Sequence, residues 1–590
     1  MSYLKSGVMV LFLVLFIIPL ASAKQGHIKL LAVSETEDGM IGTSADLYLE
    51  LEPGSGRVFI DTFPFTKFDT QMSTRFAKEV SCKFLDADCD NYDFFYTIRA
   101  SSAIVGGPSA GAALAVLTTA MLDNQNIDET ISITGTINSG GMIGPVGGVK
   151  EKIEIAAKQG ISKIIIPSST ILVKEGNETI DLREHAKSLD IELIDIYELG
   201  EALYIFTGKK YKQNGRELIV NEDYKEIMKG LAEELCSGSK ELIAKYSLTN
   251  NTDPLLSGAI NLTDKGYSIY KKEDYYSAAS FCFGSGTQVR YLMLKTYNLT
   301  DDEIIEIIDN TNAKVRLFDH ELLEKGYETI TGLETYAIVK ERIIQADDHL
   351  TKSKEFLEKG EKEDSVYNLA FAIERLKSAE LWGRFYGLKS NKFQLDEASI
   401  KKSCLKKLSE ADERIKYVDL YFPESLENTK KEITRAHEDF NKGHYELCLF
   451  KASKAKAEAD IVLNVFGVDN NKVEEILRQK LDIVKRNIII EIEKGTFPIL
   501  GYSYYEYGKS LIERDVFSAM LYAEYALELS NLDMYFKKEK SLNIKNINIG
   551  EYIKFVYTLL FGIVIGVFIT IIFSRRNSNK SIKNNVKRKK

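Results

Sequence analysis

The spacing of apolar residues changes character once along the 590 residues, near Lys209, and that break restricts the chain to two different architectures joined end to end. From His27 to about Gly208, runs with strand character occur at Ile28–Val33, Ala45–Leu51, Val58–Phe63, Phe94–Ile98, Ile131–Thr136, Lys163–Pro167 and Ile191–Ile196. Helical patterns intervene at Thr70–Val80, Ser109–Leu122 and Lys150–Gln159. Strands alternating with helices predict a sheet covered by helices. After Lys209 the pattern is helical to about residue 545, rich in Glu, Lys, Ala, Leu and Tyr. With 44% hydrophobic residues there is ample apolar surface for packed cores, which excludes a disordered chain.

The two ends carry signals of location. Residues 1–23 run from Lys5 through an apolar stretch, Val8 to Leu20, to Ala21-Ser22-Ala23, the order of a secretory signal peptide cleaved after Ala23. Val556 to Phe573 is uncharged and long enough to cross most of a ~30 Å hydrocarbon layer. Eight Lys/Arg follow it with no acid, and such a tail is expected in the cytoplasm, leaving residues 24 to about 550 outside the cell membrane. Net charge is −9, and −17 without that tail; an acidic body does not suit a nucleic-acid partner. Sequons at Asn177, Asn251, Asn261 and Asn298 permit glycosylation. Six cysteines without a C-x-x-C give no structural zinc site. In an oxidising compartment Cys82 could bridge Cys89, Cys236 could bridge Cys282, and Cys404 could bridge Cys448; buried free thiols are the alternative.

In the helical half a loose theme recurs: a charged turn, an aromatic, then small apolar residues at helical spacing, around Tyr276, Tyr367, Tyr445 and Phe517. The uneven intervals do not fit strict tetratricopeptide units but agree with stacked helical hairpins. Such an array serves as a binding surface or a spacer, whereas each aromatic or alanine taken singly is core.

The richest chemistry lies in Val105-Gly-Gly-Pro-Ser-Ala-Gly111, Ile133-Thr-Gly-Thr-Ile137 and Gly144-Pro-Val-Gly-Gly-Val-Lys-Glu-Lys-Ile153. Ser109 sits at a turn imposed by Gly107 and Pro108 that opens a helix through Ala110 and Gly111, where backbone N–H groups can stabilise an oxyanion. A serine needs a base to take its proton. Lys150 follows Gly147-Gly148-Val149, and apolar Val146, Val149 and Ile153 would desolvate its ammonium and lower its pKa. Lys152 points about 200° around the helix from Lys150 at about 100° per residue, and is read as a surface charge.

These three blocks, in this order, resemble the proteolytic domain of the Lon proteases, and the likeness extends through Gly160–Pro167 to Glu198–Leu203, about residues 27–208. The resemblance implies a serine–lysine dyad of Ser109 and Lys150, with Thr134 holding the lysine amine. The family commonly has an acid three before the serine, where Gly106 stands here, and two histidines upstream, where Phe95 and Thr97 stand. A Lon ATPase should precede the proteolytic domain, yet only about four mature residues come before the first strand, and no Gly-x-x-x-x-Gly-Lys-Ser/Thr occurs. The chain is therefore most similar to membrane-anchored archaeal Lon-like serine proteases without the ATPase. The family's proteolytic domains form rings, which makes a homo-oligomer one implied partner.

Two other readings use the same residues. Gly107-Pro108-Ser109-Ala110-Gly111 fits the nucleophile elbow of α/β-hydrolase esterases, which would need a later His, and His185 is the only one before the helical half. An inactive protease fold kept as an adhesion, receptor or scaffold module would have no use for Ser109, Thr134 and the lysine together. The expected architecture is an α/β Lon-type proteolytic domain (24–208), an all-α helical-hairpin, TPR-like domain (209–550), one C-terminal transmembrane helix (551–574) and a basic tail (575–590). Its expected activity is ATP-independent hydrolysis of flexible or unfolded polypeptides through an acyl-enzyme, with neither cofactor nor metal.

Overall fold

The computed structural model describes residues 24–36, 39–65, 67–100, 107–175, 178–211, 217–247, 253–465 and 470–538, together with 559–560, 562–567 and 571. The expected signal segment 1–23, most of the expected span 551–574 and the basic tail lie outside the described residues, as do the sequons at Asn177 and Asn251. Among the described residues no helix is long and apolar enough to cross a membrane. The chain divides into two units, Met1–Lys538 and Glu539–Lys590.

The first unit begins with a sheet in the order β1-β2-β4-β3, formed by β1 (Lys24–Thr36), β2 (Gly39–Pro53), β3 (Val58–Phe63) and β4 (Tyr92–Ala100). β2 runs antiparallel to β1 and to β4, whereas β3 is parallel to β4 because helix α1 (Phe68–Leu85) carries the chain back between them. Alternation buries Leu47, Leu49 and Leu51 of β2 and Phe94, Tyr96 and Ile98 of β4 on one face. That face packs on helix α2 (Gly111–Leu122), whose small and apolar side chains let it be buried from Gly111 to Met121 on every side.

Next come β5 (Ile131–Ile133), the hairpin strands β6 (Thr136–Ile137) and β7 (Ile143–Gly144), helix α3 (Val149–Lys158), β8 (Lys163–Pro167), and a second hairpin, β9 (Leu172–Glu175) and β10 (Glu178–Asp181). Helix α4 (Leu182–Ser188), β11 (Glu192–Ile196) and helix α5 (Leu199–Thr207) complete the α/β part. β11, β8 and β5 form a parallel three-stranded sheet. Val149, Ile153 and Ala156 of α3 share a small core with Leu31 of β1 and Ile164 and Ile166 of β8.

The remainder is helical: α6 (Glu222–Ser247), α7 (Pro254–Tyr270), α8 (Tyr275–Thr296), α9 (Asp301–Lys325), α10 (Ile330–Glu358), α11 (Lys362–Trp382), α12 (Glu397–Tyr421), α13 (Glu427–Lys442), α14 (Tyr445–Val465), α15 (Asn470–Glu493), α16 (Ile499–Leu511) and α17 (Val516–Leu529). Consecutive helices pack as hairpins at α7/α8, α10/α11, α13/α14 and α16/α17. The recurring theme marks the second helix of each hairpin. Ala278, Ala370, Ala452 and Ala519 are buried where the helices meet, while Tyr367 and Phe517 are exposed, so the alanines and not these two aromatics form the core. All three anticipated cysteine pairs are bridged: Cys82–Cys89 at the end of α1, Cys236–Cys282 between α6 and α8, and Cys404–Cys448 between α12 and α14.

The helical region packs against the α/β part, chiefly on α1. Along α1 the Ser73 hydroxyl donates to Glu413 (3.4 Å), Glu79 pairs with Lys406 (2.7 Å), and Lys83 pairs with Glu491 (3.1 Å) and Asp533. Phe76 lies under the ammonium groups of Lys407 and Lys456. As α12 advances from Lys406 to Glu413 its partners on α1 recede from Glu79 to Ser73, which makes the two helices antiparallel.

Candidate functional site

Ser109 lies in a single 3-10 turn, Pro108–Ala110, that runs directly into α2. Gly107 enters it with φ of +103°, a conformation that L side chains rarely adopt, and the buried ring of Pro108 supplies a first helical position that needs no N–H. The first N–H groups of a helix have no carbonyl behind them, so those of Ser109 and Ala110 stand at the positive end of α2. Gly111 serves a different purpose: a Cβ there would lie 3.0 Å from the Ile137 nitrogen, a tight contact, so the glycine lets α2 lie close against β6.

Two backbone hydrogen bonds fasten this turn to the segment after β5. The Gly135 N–H donates to the Ser109 carbonyl (3.0 Å), and the Ala112 N–H donates to the Gly135 carbonyl (3.0 Å). Thr134, immediately before, is fixed by its N–H to the Ile165 carbonyl of β8 (3.1 Å) and is fully buried. Its hydroxyl accepts a hydrogen bond from the ammonium nitrogen of Lys152, at 3.0 Å. One dipeptide, Thr134-Gly135, thus holds the serine turn by its main chain and a lysine by its side chain.

That lysine corrects the sequence expectation. Lys152 is 2% exposed and belongs to the buried face of α3 with Val149, Ile153 and Ala156, whereas Lys150 is only half-buried. The surface-charge reading of Lys152 fails because it measured helix phase from Lys150. At about 100° per residue, Lys152 falls within about 70° of the centre of the stripe Val149/Ile153/Ala156, closer than Lys150 at about 90°. Burial drives the Lys152 pKa down from 10.5 to about 7, with Glu151 opposing weakly from the neighbouring position. Among the described residues no carboxylate forms an ion pair with it. At a pKa of about 7 roughly half of such amines are uncharged at pH 7, the range in which an amine can accept a proton.

The glycines before α3 aim it. Gly148 is the N-cap, at φ +66°, and a Cβ there would lie 2.6 Å from Val33 of β1. Its carbonyl accepts the Lys152 N–H (3.1 Å), and the Gly147 N–H donates to the hydroxyl of Tyr417 on α12 (3.4 Å). His185, which the esterase reading requires, lies 3.4 Å from Glu154. Glu154 projects about 200° around α3 from Lys152, so the histidine faces away from Thr134. Elsewhere Asp460, Glu524 and Glu528 bring three buried carboxylates within 4.8 Å of one another. Arg414, Lys407, Lys456 and Lys480 already neutralise them, which makes the group a structural ion cluster.

Residues 81–199 match the Lon protease (S16) C-terminal proteolytic domain, within the span over which the three motifs were read. An archaeal Lon protease from Methanothermobacter thermautotrophicus is 31% identical over 121 residues, 20% of this chain and 18% of that protein. A Lon protease from Paraburkholderia phytofirmans is 28% identical over 148 residues, covering 24% and 18%. An archaeal Lon protease from Pyrococcus abyssi is 28% identical over 166 residues, covering 28% and 15%. The chain thus spans less than a fifth of the length of these relatives.

Proposed function

We propose that this protein is a serine endopeptidase of the Lon type, in which Ser109 is the nucleophile and Lys152, not Lys150, is the base. The uncharged Lys152 amine takes the Ser109 proton as the hydroxyl oxygen bonds to the scissile carbonyl carbon. The N–H groups of Ser109 and Ala110 stabilise the resulting oxyanion. The Lys152 ammonium then gives its proton to the leaving amine, and the C–N bond breaks to leave an acyl-serine. In the second half Lys152 removes a proton from water, which attacks the ester, and returns it to Ser109. Thr134 keeps the amine lone pair directed by occupying one of its N–H groups. Three blocks remote in sequence converge in this reading: a buried lysine, with no carboxylate partner among the described residues, is hydrogen-bonded to the residue next to the one that binds the serine turn. That observation carries it.

Chain termini and compartment belong to the same proposal. The three disulfides and the signal-like residues 1–23 support an exported body, and residues 551–574 with the basic tail support one anchoring helix. Substrates are flexible or unfolded polypeptides, since the chain carries no nucleotide-binding loop of the Walker type with which to drive unfolding. Full-length protein in detergent should cleave fluorescent casein without nucleotide. Ser109→Ala and Lys152→Ala should each abolish cleavage, and Lys150→Ala should retain it. Loss with Lys150→Ala and not with Lys152→Ala would reassign the base; casein left intact by the wild type, with no serine-phosphonate adduct at Ser109, would favour a scaffold. Protease shaving of intact cells should remove the body and spare the tail.

A further inference from the structure

The mechanism above uses residues of the α/β part alone, yet the helical region reaches into it at the turn that starts α3. Gly147 and Gly148 form that turn, and no side chain caps the helix there. The hydroxyl of Tyr417, a buried residue near the end of α12, accepts the Gly147 N–H. The contact is the last of a regular series. Lys406, Glu413 and Tyr417 recur at helical spacing on α12 and meet Glu79, Ser73 and Gly147 in turn, so several contacts share the docking of α12, and of these three Tyr417 is the one that touches the glycine turn. A second contact has the same sense. Arg486 of α15 pairs with Glu198 (2.7 Å), and Glu198 bridges to Met142 just before β7, the strand leading to the glycine turn.

We infer that Tyr417 is a positioning residue for the Ser109–Lys152 site, supplied by the helical region, and that the α/β part reaches full activity only with α12 docked beside its glycine turn. Resting on the peptidase reading, this assigns the helical region a role in the chemistry in addition to any role in recruiting substrate. The physical route is short. Gly147 precedes the N-cap, the N-cap carbonyl holds the Lys152 N–H, and the direction of α3 sets how tightly the amine is enclosed against Thr134. Removing the hydroxyl frees the turn, lets water approach the amine, and returns its protonation toward that of an ordinary lysine.

The test is Tyr417→Phe, which keeps the ring in its buried place and deletes one acceptor. In the full chain, kcat on casein at pH 7 should fall about three- to tenfold with KM little changed, and the acid limb of the kcat/KM profile should move to higher pH. A purely structural tyrosine would leave the shape of that profile alone. Lys406→Met, which breaks another contact of the same helix far from Gly147, should keep the wild-type profile; a matching shift there would assign the effect to docking in general and overturn the specific role of Tyr417. A Tyr417→Phe enzyme with wild-type kcat and pH profile, measured alongside an inactive Ser109→Ala, overturns the inference and leaves the peptidase reading standing. A Ser109→Ala variant as active as the wild type would instead overturn the peptidase reading itself.

Discussion

A buried lysine costs stability, and Lys152, which has no carboxylate partner among the described residues, allows that cost to be measured. Its folded-state pKa of about 7 lies below the 10.5 of an ordinary lysine, so between these values the unfolded chain holds a proton that the folded chain lacks. Over that window the wild type gains stability as pH rises; below about pH 7 its penalty is complete and constant. Lys152→Met, similar in volume and uncharged, should therefore be inactive yet more stable than wild type at pH 7 by about 1–4 kcal/mol. The advantage should shrink as pH climbs toward 10.5, and urea denaturation at a series of pH values would show it. A Met variant less stable at pH 7 would mean that the amine is solvated. For the same reason wild-type kcat/KM should rise through about pH 7 as the amine loses its proton.

At the level of single elements, the glycines around α3 separate two causes that a sequence shows alike. Gly148 and Gly160 both have positive φ, +66° and +73°, but a Cβ at Gly148 meets Val33 at 2.6 Å whereas one at Gly160 meets nothing within 4 Å. Gly160→Ala should bear only backbone strain, about 1 kcal/mol, and keep its activity. Gly148→Ala adds a collision with β1 and should lose about 2–4 kcal/mol together with most activity, because α3 must tilt and carry Lys152 with it. Thermal unfolding and casein cleavage of the two variants, side by side, would decide. The strands and helices of the α/β part were legible for the reason that makes them stable: alternation at Leu47, Leu49 and Leu51 and the stripe Val149, Ile153, Ala156 record which face is dry. The seam between α1 and α12 left no such record, since Ser73, Glu79, Lys406 and Glu413 read locally as a solvated face.

For the whole molecule, the polar seam on α1 implies that α/β and helical parts unfold together despite their different textures. Lys83, Glu491 and Asp533 meet there in a buried group, and the raised pKa of Glu491, about 7, arises from burial first, with Lys83 opposing it. Lys83→Met would strand two carboxylates and should destabilise the fold by about 3–5 kcal/mol. Trp382, the single tryptophan, lies in the helical part, so its fluorescence reports that part, whereas casein cleavage requires the α/β part to be folded as well. Both signals should be lost at one urea concentration in the wild type, and both should move together in Lys83→Met. Separate midpoints in the wild type would show two independent domains.

Local order in the chain was enough to indicate the strands and helices of the α/β part, the helical hairpins and the three cysteine pairs as candidates, while a serine, a threonine and a lysine-bearing block were grouped into one expected set by family resemblance. Each is written in short-range pattern, in the period of burial or the residue types of a turn. Which lysine meets Thr134 was not written there, because Lys150 and Lys152 sit at nearly equal angles from the apolar stripe of α3 and only its packing on β1 and β8 tips one inward. Nor was the approach of Tyr417 to Gly147, 270 positions away: contacts between distant segments are selected by the fold as a whole, where burial and charge compensation act on side chains that local sequence leaves free.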